Sequence, residues 1–157
     1  MLPEWRSELT EDVKTADSPI VFPLLGLDVS ERRIGVALAD LPPAAPRPLF
    51  TYLRVTRARD LAQCAEWVTE YGCRGVVIGL PMNMDGTPGP RAVWMRRFVR
   101  NLREIVAVPA WLQDERLTTI EADELLRERG LRREDRAAQA DALAAALILE
   151  RFLRERA

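Results

Sequence analysis

This chain of 157 residues has no histidine. That absence excludes a Ser-His-Asp triad, a Cys-His pair and any zinc site built on imidazole. General acid–base work then falls to carboxylates, to metal-activated water, or to Lys14, the one lysine. Cysteine is scarce too. Cys64 and Cys73 stand nine residues apart with no partner at metal-ligand spacing, which excludes a zinc cluster and suits a reducing cytoplasm. No apolar run approaches the roughly 18 residues of a membrane span, so no transmembrane helix is expected. The first eighteen residues lack a basic start and an apolar stretch, so no secretory signal is expected there. We read residues 1–20 as a flexible arm and 21–157 as a single domain, since the length suits one domain rather than two.

Net charge is also nearly absent, at −1, which argues against binding nucleic acid through overall charge. The distribution qualifies this. All 23 basic residues except Lys14 are arginine, a side chain suited to bidentate phosphate contacts.

The apolar pattern predicts strands at Val21–Asp28, Arg33–Ala39 and Phe50–Val55, with four prolines making 41–48 a loop. A helix over Ala58–Glu70 ends at Gly72, where a left-handed cap is usual. Gly75–Gly79 is a short continuous apolar run, the pattern of a strand buried on both faces. A helix from Pro90 to about Arg103, a strand at Val108–Leu112, a helix opened by Thr118 and stopped by Gly130, and a last helix over Asp135–Arg154 complete the order. Three meandering strands followed by alternating helices and strands predict an α/β fold: a five-stranded mixed sheet with helices on both faces. Ligands gather at the carboxyl ends of parallel strands in such sheets. Asp28, the loop after Gly79, and Asp114-Glu115 all fall at such ends.

Three carboxylates sit where folding alone does not require them. Asp28 ends an apolar strand; on its own it also reads as a turn residue. Glu115 follows Asp114 at the fifth strand, where a helix start would also favour acids. Asp141 is surrounded by Ala, Leu and Ile in a helix that must be largely buried, more than a turn beyond its start. A carboxylate there needs an arginine or a metal ion, because an unpartnered buried charge costs several kcal/mol or protonates. Oxygen ligands suit magnesium or manganese, and such ions serve phosphodiester cleavage.

Four segments, in this order and with fitting gaps, resemble the signature blocks of the YqgF/RuvX family of Holliday junction resolvases and pre-16S rRNA nucleases. They are Gly26-Leu27-Asp28 through Arg33-Ile34-Gly35-Val36-Ala37, Val77 through Gly86, Asp114-Glu115-Arg116 through Ala122, and Asp141 through Ala145. The resemblance implies a ribonuclease H-like fold and a Mg2+- or Mn2+-dependent endonuclease, with Asp28, Glu115 and Asp141 as catalytic metal ligands. It implies a nucleic-acid partner, branched DNA or precursor rRNA, bound by a monomer or homodimer in the cytoplasm, with no membrane partner. Substrate contacts are expected from Ser30, Arg33, Arg116 and Thr118. The loop after the fourth strand would add Asn83, Asp85, Gly86 and Thr87. Ser30 stands where the family usually has glycine. The alternative is a non-catalytic nucleic-acid-binding module of the same fold. An actin-like phosphotransferase, also suggested by the Asp28 hairpin, would need a second domain.

Overall fold

In the first strand, β1 (Leu24–Val29), all six residues are buried, so it must be flanked by other strands and covered on both faces. The computed structural model, which describes residues 18–80, 91–114, 118–128, 130 and 132–156, places it at the centre of a five-stranded sheet. The strands β2 (Arg33–Ala39), β3 (Arg47–Leu53), β4 (Gly75–Leu80) and β5 (Ala110–Asp114) complete the order β3-β2-β1-β4-β5. β2 runs antiparallel to β1 and β3 antiparallel to β2, whereas β4 and β5 run parallel to β1. The mixed sheet is the one expected from the sequence.

Several strand limits differ from expectation, for reasons that involve proline. β1 begins at Leu24 rather than Val21, just after Pro23, which has no N–H for the ladder. β5 begins at Ala110 rather than Val108, after Pro109, and therefore extends to Asp114. β3 spans Arg47–Leu53, not Phe50–Val55, and includes Pro48, assigned to the loop from the sequence. Proline is tolerated there because β3 is an edge strand, and the register shift between Val36 and Ala37 accommodates it.

The helices are α1 (Arg57–Glu70), α2 (Ala92–Ile105), α3 (Thr118–Glu128) and α4 (Arg133–Glu155). Thr56 caps α1 by accepting a hydrogen bond from the Arg59 backbone N–H. Gly72 and Gly130 adopt positive φ, as their positions after predicted helices require. α2 starts and ends two residues later than the pattern suggested, and α4 is longer at both ends.

Alternation along the strands divides the core in two. Leu25, Leu27, Val29, Ile34, Val36 and Ile78 pack with α1 and α2. On that side Trp67 of α1 meets Phe50 and Tyr52 of β3 edge-on, at 5.4 and 5.2 Å between ring centroids. Leu24, Ala37, Ala39, Val77 and Trp111 face α4, which contributes Ala145, Ile148, Leu149 and Phe152. α3 then packs on α4 through Ala122, Leu143 and Ala144. Ile20, the last residue of the predicted arm, packs against the α4-side core; residues 1–17 lie outside the described residues. No described helix is long and apolar enough to cross a membrane.

Candidate active site

Asp28 pairs with Gly35 across the β1–β2 hairpin, and α4 lies directly on that pair. A Cβ built on Gly35 would fall 1.9 Å from the backbone carbonyl oxygen of Asp141. Only glycine permits this approach. Gly35 therefore brings the Asp141 turn of α4 against the hairpin that carries Asp28. Strand alternation puts Asp28 on the same face of β1 as Leu24, the face that α4 covers. Asp28 is 8% exposed. Two acid-bearing segments distant in sequence are thus packed together at the carboxyl end of β1.

Asp141 lies two turns inside α4, beyond the reach of the helix N-terminus. Its side chain is 16% exposed, and burial pushes its carboxyl pKa up, an effect the neighbouring Arg33 opposes. Arg33 Nε lies 2.9 Å from Asp141 Oδ2. The two atoms are close but not aligned as a hydrogen bond, and Oδ2 has no hydrogen-bond partner among the described residues. A buried carboxylate oxygen left so is costly unless something else takes it. A buried hard oxygen that is ion-paired but accepts no hydrogen bond, on a segment packed against the hairpin that carries a second acid, fits a divalent cation such as magnesium or manganese better than a softer metal. Among the described residues no group of three or more acids, Cys or His forms a metal cluster; Glu115, the third expected ligand, lies outside them, as does Arg116.

The surroundings of these acids are well anchored. Ser30 closes the hairpin turn: its hydroxyl donates to the Arg33 carbonyl at 3.0 Å and accepts from the Arg33 N–H at 3.2 Å. The hydroxyl expected to contact substrate is thus engaged within the turn. Arg54 fixes the same turn from behind, donating from Nη1 to the Ser30 carbonyl at 2.9 Å. Its Nε pairs with Asp60 at 2.9 Å, and its guanidinium lies 5.0 Å from the Trp94 ring centroid. Asp60, 1% exposed, also accepts from the Val55 N–H and the Tyr52 hydroxyl. Sequence reading missed this pair. Asp60 looks like an ordinary first-turn acid of α1, and nothing local links it to Arg54.

Arg151 of α4 forms a comparable clamp at the other side. It donates to the Asp114 carbonyl at 3.2 Å and to Glu121 of α3 at 2.9 Å. The end of β5, which leads into Glu115, is thereby held to both helices. Asn83, Asp85, Gly86 and Thr87 lie outside the described residues, and Thr118 is placed only as the first residue of α3. Of the predicted site residues the structure thus brings together Asp28, Ser30, Arg33 and Asp141.

Comparison with known proteins places the chain in a family and a fold. The RuvX family model, described as Holliday junction resolvase, matches residues 23–155. A protein of Anaeromyxobacter dehalogenans, provisionally named a pre-16S rRNA nuclease, is 45% identical over 133 residues, covering 85% of this chain and 97% of its own. A relative from Chloroflexus aggregans with the same provisional name is 42% identical over 130 residues, covering 83% of this chain and 92% of its own. Among solved structures, Thermus thermophilus RuvC in complex with a Holliday junction substrate superposes with a TM-score of 0.56 at 16% identity, over 87% of this chain and 97% of that one. At that identity the likeness shows a shared fold, the ribonuclease H-like architecture that the sequence predicted.

Proposed function

Because the chain belongs to the RuvX family of Holliday junction resolvases, we propose that it is a metal-dependent endonuclease acting on structured nucleic acid, with Asp28, Asp141 and Glu115 as its acidic centre. The observation that carries the reading is the meeting of Asp28 and Asp141 over Gly35, with Asp141 Oδ2 buried and lacking a hydrogen-bond partner among the described residues. A magnesium or manganese ion, when bound, activates a water for attack and steadies the leaving oxygen.

The chain's own residues hold and orient. Asp28 and Asp141 offer oxygen ligands from a strand end and a helix flank that packing makes rigid, so little reorganisation accompanies binding. Arg54 and Ser30 fix the hairpin turn beyond Asp28. The half-exposed guanidinium of Arg33 beside Asp141 supports the reading that it meets a phosphate. The expected loop contacts, Asn83, Asp85, Gly86 and Thr87, follow β4 in the sequence and lie outside the described residues.

Two substrates are supported: branched DNA, by the family and by the junction complex of the fold neighbour, and precursor 16S rRNA, by the names of the relatives. Symmetric cutting of a junction would call for a two-fold dimer. The test is cleavage of labelled four-way junction DNA, linear duplex DNA and a precursor rRNA fragment with manganese, magnesium or chelator. Wild type runs beside Asp28→Asn and Asp141→Asn. We expect metal-dependent cleavage of one substrate, lost in both variants. Binding without cleavage under every metal would overturn the enzyme in favour of a non-catalytic module.

A further inference from the structure

Arg33 is anchored at its backbone and loose at its head. Its N–H and carbonyl are both held by Ser30, in the turn that Arg54 also grips. Its side chain is 47% exposed and rests near Asp141 Oδ2 without a directed hydrogen bond. Its guanidinium is thus solvated on one side and free to leave, although the carboxylate it faces is mostly buried. Yet it sits on the one described buried carboxylate oxygen that has no hydrogen-bond partner. A cation on that oxygen would compete with the guanidinium, because like charges repel at such range.

We propose that Arg33 is an exchangeable counter-ion that couples metal loading to substrate binding. Without a divalent ion it neutralises Asp141. Once an ion takes Oδ2, the guanidinium turns outward from its fixed backbone and grips an incoming phosphodiester oxygen. Arg33 is thus a positioning residue whose availability depends on the acidic centre being filled. Two consequences follow from linkage. Arg33 lowers the affinity of the nucleic-acid-free protein for metal, and metal raises its affinity for nucleic acid through Arg33. No covalent step is involved. The inference rests on the metal-site reading above.

The experiment is a calorimetric titration with Mn2+ alone, without nucleic acid, of wild type, Arg33→Gln and Asp141→Asn. Arg33→Gln should bind Mn2+ about two- to fivefold more tightly, the range expected for releasing a partly exposed ion pair. Asp141→Asn should bind it at least tenfold more weakly, roughly the loss of one charged ligand. If Arg33→Gln binds no more tightly while Asp141→Asn loses Mn2+, the counter-ion role is overturned and the site stands. If Asp141→Asn binds as wild type does, the site reading itself fails. A second arm measures anisotropy of labelled four-way junction DNA in chelator and in Ca2+. Ca2+ should strengthen binding by wild type more than by Arg33→Gln, and an equal gain in both would overturn the coupling. Thermal melts of each variant confirm that it is folded.

Discussion

At Asp141, burial raises the carboxyl pKa above its ordinary 3.8, and Arg33 only partly offsets this. The folded state therefore holds a proton more firmly than the unfolded chain does, and stability falls as pH rises from about 3.8 through the folded value. Above the folded value, without metal, the whole penalty is present. Asp141→Asn removes it, so in chelator at pH 7 the variant should melt no lower than wild type, while losing the cleavage proposed above. At about pH 4 the difference should narrow, because the folded-state carboxyl then takes up its proton and sheds the cost of a buried charge. Melting curves at the two pH values check this; a marked loss of stability in the variant at pH 7 would show that Asp141 serves folding instead. Asp60 makes the opposite case. Its carboxylate satisfies Arg54, Tyr52 and the Val55 N–H at once, so Asp60→Ala leaves a mostly buried guanidinium unpaired. Denaturant unfolding should show a loss of about 3–5 kcal/mol.

Among the elements, the contact between α4 and the sheet decides whether a site exists. Gly26 and Gly35 are the two places where the helix comes too close for a side chain, but their neighbours differ. A Cβ at Gly26 would meet Leu149 Cγ at 2.6 Å and the Ala145 carbonyl at 3.0 Å, so the nearest clash is with a side chain. At Gly35 it would meet the Asp141 backbone itself. Overpacking against backbone is the dearer case, so Gly35→Ala should cost roughly 3 kcal/mol and Gly26→Ala about 1–2 kcal/mol. Because Gly35 also sets where Asp141 sits, its variant should lose Mn2+ affinity out of proportion to its stability. Equal stability losses in urea, with metal binding intact in both, would refute this division.

Across the whole molecule, the sheet separates a conventional core from the functional face. Cys64 and Cys73 lie on the α1–α2 side, both buried and both free. Burial pushes the Cys64 thiol up to about 12, helped by nearby Asp60, and the Cys73 thiol up to about 11. Neither is a thiolate near neutrality, and neither is reachable without opening the core. Iodoacetamide at about pH 8 should leave both unmodified in the native protein and label both after denaturation. Rapid native labelling of Cys64 would show that the α1 layer opens locally. The two apolar faces explain why this domain needs no disulfide. At this length roughly 70% of the unfolded surface is buried by folding alone.

The sequence by itself determined the order of elements, because periodicity, glycine stops and apolar runs act locally. It also singled out Asp28 and Asp141, since a carboxylate among apolar neighbours is improbable wherever the chain goes. Strand limits were less legible: Pro48 reads as a loop residue until the structure shows that it lies on an edge, where its missing N–H does no harm. Arg54–Asp60 and Arg151–Asp114 were illegible for a different reason. Each joins elements that no local pattern links, and each charge looks like a surface residue until its partner is known. Only the tertiary structure decided that Gly35 draws α4 down onto the hairpin, that Ser30 spends its hydroxyl within its own turn, and that Arg33 rests on Asp141. The first and the last are matters of distance between segments about a hundred residues apart, which packing sets and local propensity does not.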